Sequence, residues 1–268
     1  ELTHNPSYSV TEITGLQSPN ANINTSPMAT NDGSLFNSSR LGERNLVITT
    51  VINGEIEANR IALYKFFKVK SLCRIYFKNS ARDTFIEGYV ESFECSAFEL
   101  GQKAQISVLC PQPYLKSISE IVTEFNAVFS QLKFELDLPY EGIVFSSVTN
   151  EVRKTVYNNG DAEAGITIEL LASRRVVNPI IYNVLTGQSM RINMEMQPND
   201  LITIQTEVGK KHITLLRGGV EINLINNLDR NATWLQLDVG ENIFTYSCDY
   251  GFEFIVIDLR HRDLYGGV

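Results

Sequence analysis

Asp249, Glu253 and Asp258 stand close together near the end of the chain, and two carboxylates held at a fixed separation can break a glycosidic bond. They are interspersed with Tyr250, Phe252, Phe254 and Ile255, a strand-like run on which charges more commonly face solvent. A second possible chemistry is stacking on a sugar ring, with Trp234 or a tyrosine as the platform; a lone tryptophan in a β domain more often fills the core. His4, His212 and His261 are isolated, which argues against a histidine-rich metal site. Cysteines 73, 95, 110 and 248 are widely spaced without a C-x-x-C, and Cys73 and Cys110 sit in apolar segments where a thiol packs as a small hydrophobe. There is no G-x-S-x-G, no H-E-x-x-H and no Gly-rich phosphate loop followed by Lys-Ser or Lys-Thr. We expect no catalytic, cofactor-binding or metal-binding residues, hence no enzyme. Carbohydrate binding stands as the alternative to a structural role.

Composition narrows the partners. Of 268 residues, 43% are hydrophobic and 20% charged, the balance of a soluble globular chain long enough for two cores. The net charge of −8 disfavours nucleic acid, since the basic pairs Arg153-Lys154, Arg174-Arg175 and Lys210-Lys211 are short and scattered. No apolar run is long enough to cross a bilayer, and no secretory signal opens the sequence. The cysteine pattern favours a reducing compartment.

The elements that would position any site read as strands. Residues 1–40 are rich in Asn, Ser, Thr, Pro and Gly and suggest turns and short edge pieces. Leu46 to Ile52 is a β-prone run ended by Asn53-Gly54, and Glu55 to Lys70 suits a helix, with Ile56, Leu63, Tyr64 and Phe67 on one face. Strands follow over residues 74–77, 85–90 and 105–110, giving an α+β or barrel-like unit. Lys116 to Leu132 places Ile118, Ile121, Val122, Phe125, Val128, Phe129 and Leu132 on one helical face, although Val122, Thr123 and Phe125 also suit a strand. Phe134, Leu136 and Leu138 then alternate as a short strand. From Gly142 onward, strands and turns succeed one another without helices, which predicts an antiparallel sandwich. Within it, Thr233 to Tyr246 reads as a hairpin folded about Gly240.

Several of these segments also resemble one family. Ser39 to Leu46, Asn59 to Tyr64, Ile86 to Glu91 and Val108 to Leu115 follow in the order of the N-terminal belt domain of distal tail (Dit) proteins of long-tailed, siphovirus-type bacteriophages. Asn199 to Thr206, the pattern W-L-x-L-x-x-G-x-N-x-F-x-Y from Trp234, and the ending Leu264-Tyr265-Gly266-Gly267-Val268 are similar to that family's C-terminal domain. The resemblance implies a mainly β fold. It would consist of an N-terminal split-barrel or belt domain with one helix over 1–115, a connector over 116–140, and a C-terminal galectin-like antiparallel β-sandwich over 141–268. It implies a virion tail-tip component, assembled in the bacterial host cytoplasm for a phage or prophage. Six copies would form a ring joining the tail tube protein to a tail-associated tip protein, as a baseplate hub for receptor-binding adhesion proteins. The N-terminal strands are the expected self-pairing surface.

Overall fold

A computed structural model describes residues 2–96, 101–130, 146–150 and 153–268. The protein is mainly β, with one α-helix among the described residues, and divides into two compact units: Glu1–Ile118 with Leu264–Val268, and Ser119–Asp263.

The first unit holds β1 (Tyr8–Thr14), β2 (Ala21–Pro27), β3 (Ser34–Leu41), β4 (Arg44–Ile52), α1 (Ile56–Phe66), β5 (Leu72–Lys78), β6 (Asp83–Cys95), β7 (Lys103–Cys110) and β8 (Leu115–Ser117). Its main sheet runs β1-β4-β7-β6-β8 and ends on a strand from the C-terminal tail, Leu264–Tyr265; β5 pairs with β6 as well. Alternation decides which face is covered. On β4, Leu46, Ile48 and Ile52 are buried while Asn45 is exposed. With Ile86, Val90, Ile106 and Val108 from β6 and β7, they pack against Leu63 and Phe67 of the helix region. The helix is shorter than the sequence suggests. It stops at Phe66, and Lys70, at φ 71°, turns the chain so that its N–H donates to Val90 O (2.8 Å). Asn59 fixes the start, donating Nδ2 to Asn53 O (2.7 Å) and accepting at its carbonyl from Tyr8 Oη (3.1 Å).

Residues expected to be turns and edge pieces form something more regular. β2 and β3 pair antiparallel from Ala21↔Leu41 to Pro27↔Ser34 as a separate two-stranded arm. Asn24 Nδ2 donates to Ser38 Oγ (3.1 Å) and Asn37 Nδ2 to Ser26 Oγ (2.6 Å), so the polar residues that look like loop are the rungs of the ribbon.

The second unit begins with β9 (Ile121–Glu124), β10 (Asn126–Ser130), β11 (Ser146–Asn150), β12 (Arg153–Asn158), β13 (Ala164–Ala172), β14 (Val176–Val177), β15 (Ile180–Asn183) and β16 (Ser189–Arg191). It continues through β17 (Glu195–Met196), β18 (Leu201–Gln205), β19 (His212–Arg217), β20 (Val220–Asn223), β21 (Gln236–Leu237), β22 (Gly240–Ser247) and β23 (Ile255–His261), after which β24 (Leu264–Tyr265) returns to the first unit. One sheet is ordered β20-β19-β18-β13-β23-β9 and another β12-β22-β15-β16, both antiparallel. Alternate residues Ile166, Ile168 and Leu170 of β13 and Phe244 and Tyr246 of β22 are buried, as a sandwich requires.

Two sequence expectations change here. Lys116–Leu132 is not a helix where it is described: Leu115–Ser117, Ile121–Glu124 and Asn126–Ser130 are strands. β9 gains its ladder from β23, with Glu124 opposite Asp258 and Ile121 opposite His261, and tertiary pairing overrides the local periodicity. The expected strand at Phe134–Leu138 lies outside the described residues. The Trp234–Tyr246 run is not a hairpin either, because Gln236–Leu237 pairs with β13 while Gly240–Ser247 pairs with β12 and β15. Buried Asn242 holds this corner, donating Nδ2 to Asp238 O (2.7 Å) and accepting at Oδ1 from Asp238 N (3.1 Å). Gly240, at φ 95°, supplies the left-handed step.

Candidate assembly surfaces

The groups with possible chemistry are engaged in structure. Asp249 Oδ2 accepts from Asn178 Nδ2 (2.7 Å) and Arg191 Nη2 (2.5 Å), and these bonds hold its carboxyl below the usual carboxylate range. That is the wrong direction for a general acid. Glu253 lies exposed on a short 3-10 turn, and Asp258 lies on the outward side of β23 between buried Ile257 and Leu259. Trp234 is half-buried, with the Lys211 ammonium 5.5 Å above its ring, so it neither fills the core nor presents that face as a bare platform. His261 is buried against Tyr157 O (3.2 Å) and Asp263 Oδ1 (3.6 Å), and burial pushes its imidazole down towards the neutral form. Burial likewise raises the Cys110 thiol to about 11, so that cysteine packs as a hydrophobe.

The surfaces left unsatisfied are of another kind. On the arm, Ile23, Leu35 and Phe36 expose 62%, 58% and 65% of their area. The only charged side chain between Ala21 and Ser39 is Asp32. A two-stranded ribbon is marginal alone in water, and uncharged edges invite a further strand. The sequence signal was present but faint: three large apolar residues set in a stretch nearly free of charge.

A second apolar surface belongs to the main sheet of the same unit. On its non-core face Leu72 stands opposite Tyr89 and Tyr76 opposite Phe85, with the Arg74–Glu87 ion pair (2.5 Å) between these rows. Leu72, Tyr76 and Tyr89 are exposed, as is Phe66 at the end of the helix. Among the described residues, β5 pairs only with β6, and β1 only with β4, so each leaves one edge open.

Comparison with known proteins follows this geometry. Residues 159–255 match the family model of the siphovirus-type tail component, C-terminal domain. The fold is similar to the crystal structure of the Dit protein of phage SPP1, described as a paradigm of the hub adsorption apparatus in phages infecting Gram-positive bacteria. The TM-score is 0.69 at 13% identity, covering 96% of this chain and 93% of that one. It is also similar to a chain of the phage P2 baseplate in its activated conformation with Ca, with a TM-score of 0.54, 10% identity and coverage of 98% and 92%. No curated protein sequence matches the chain.

Proposed function

We propose that this chain, a member of the distal tail protein family, is a hub whose copies close into a ring at the tail tip. It is a structural phage tail component. In our reading six copies join the tail tube protein to a tail-associated tip protein and offer anchorage to receptor-binding proteins. The ring forms in the host cytoplasm and works in the virion tail. No reaction is catalysed. The observation that carries self-assembly is the sparsely charged arm with Ile23, Leu35 and Phe36 exposed, in a unit that also has an exposed apolar sheet face and open strand edges. Head-to-tail seating of each arm on the next copy closes on itself under cyclic symmetry, which stops the pairing from growing into fibres.

Phe36→Asp tests this directly. Burying a phenylalanine contributes about 1.5–3 kcal/mol, and charging the site adds a desolvation cost, so each interface should weaken at least about a hundredfold. Mass photometry should show a closed hexamer for the unmodified protein and monomers for the variant, with the Trp234 fluorescence melt unchanged. An unmodified protein that stays monomeric at tens of micromolar would refute the ring.

A further inference from the structure

The residues after Asp263 belong to the first unit through several independent contacts. Leu264 and Tyr265 pair with Lys116 and Leu115 of β8. Arg44, 3% exposed on β4, donates Nη2 to Gly266 O (2.6 Å) and Nη1 to Gly15 O (3.0 Å). Arg82 Nη1 donates to Gly267 O (2.7 Å), and its guanidinium lies 4.4 Å from the centre of the Tyr265 ring. Val268 N donates to Leu16 O (3.3 Å), and a Cβ on Gly267 would come within 3.2 Å of that same oxygen. Asp263, one residue before the tail, is held in the second unit, accepting at Oδ1 from Asn159 N (3.1 Å).

Arg44 makes the tail more than an ornament of the sheet. A buried guanidinium needs acceptors, and leaving one unmet costs on the order of 1–3 kcal/mol. Arg44 Nε has no hydrogen-bond partner, so among its described bonds loss of Gly266 O would leave Gly15 O alone. Burial already pushes this arginine down from its ordinary value.

We infer that residues 264–268 are a strap that completes the first unit only after the second has been synthesised. Residues 1–118 emerge first, with Gly15 O for Arg44 and β6 beside β8 already among them, but Gly266 O for Arg44, Gly267 O for Arg82 and the second strand beside β8 arrive only after all of Ser119–Asp263. At 5–20 residues per second that is a delay on the order of ten seconds or more. The ring-forming unit therefore becomes fully structured only in chains that already carry the second unit. This consequence for assembly rests on the ring reading; the strap itself does not.

Two experiments test it. Hydrogen exchange on the full chain should compare the unmodified protein with Arg82→Gln and with a deletion of Leu264–Val268. In both variants exchange in β4, β8 and the turn at residues 15–18 should quicken about tenfold or more, while β13, β18 and β23 keep their protection. Unchanged first-unit protection, or equal loss in both units, would overturn the strap, and Arg82→Gln keeps the test decisive if the deletion does not fold. In synchronised cell-free translation, protease resistance of the first unit should appear only after residues 264–268 have been synthesised; resistance arising before residue 264 is synthesised would also overturn it. A monomeric but normally strapped protein would remove the ring reading alone.

Discussion

Gly88→Val should unfold the first unit and leave the second standing. A Cβ at Gly88 would lie 2.7 Å from Cys110 Sγ, 2.7 Å from Val108 Cγ1 and 2.8 Å from Leu109 O. β6 and β7 can approach this closely only because the position has no side chain. Two of those atoms belong to fully buried residues and the third is the backbone of a strand that pairs with β4 and β6. They have little room to give. Overpacking commonly costs 1–3 kcal/mol, and a clash with central backbone should reach about 3 kcal/mol or more, a large part of a domain's stability. The single tryptophan makes this measurable, since Trp234 reports only on the second unit. In urea, far-UV circular dichroism should show an early transition that Trp234 fluorescence does not. Adding Cys110→Ala removes one of the three clashes and should recover part of the loss. One shared, unshifted midpoint by both probes would contradict the prediction.

Position 88 also illustrates what was legible in the sequence. The segment Ile86-Glu87-Gly88-Tyr89-Val90 reads as a strand, and the structure agrees; the reason for its glycine is a long-range approach to β7 that no local pattern encodes. Strands such as Leu46–Ile52 were readable because one buried face imposes a period of two. The arm was not, because a ribbon with no buried face has no such period, and its Asn and Ser rungs look like loop. Between Ile118 and Phe125, spacings of three and four fitted a helix by coincidence, whereas pairing with β23 decided the outcome. The corner at Gly240 and Asn242 carries turn chemistry that suits a hairpin equally well, and only partner strands in two different sheets distinguish the two. The strap lay furthest from view. Leu264 to Val268 offers only its likeness to a family segment, and its meaning depends on Arg44 and Arg82, far away in the chain.

Arg217→Met should destabilise the second unit through the carboxylate it leaves behind. Asp200 is 1% exposed and accepts from Arg217 Nε (2.9 Å) and Nη2 (2.5 Å), and its Oδ2 also accepts from Gln197 N (2.7 Å). Arg217 holds the Asp200 carboxyl below its ordinary value, against the opposing effect of burial. Removing one partner of a buried pair commonly costs about 3–5 kcal/mol; the partly exposed guanidinium lets water reach the site, so we expect about 2–4 kcal/mol at neutral pH. The pH dependence gives the mechanism its signature. In the unmodified protein the native carboxyl is the stronger acid, so its contribution is complete above the unfolded value of about 3.9 and is lost as pH falls through the lower folded one. In the variant, burial acts unopposed by the arginine and the native carboxyl becomes the weaker acid. It therefore protonates as pH falls through that raised value, already above the unfolded one of about 3.9, the uncompensated charge disappears, and the gap between the two proteins should narrow. Chemical denaturation followed by Trp234 fluorescence from pH 7 to pH 3 measures that gap. A difference that stayed constant across the range would mean that Arg217 acts through packing of its stem alone, with Asp200 solvated well enough to need no partner.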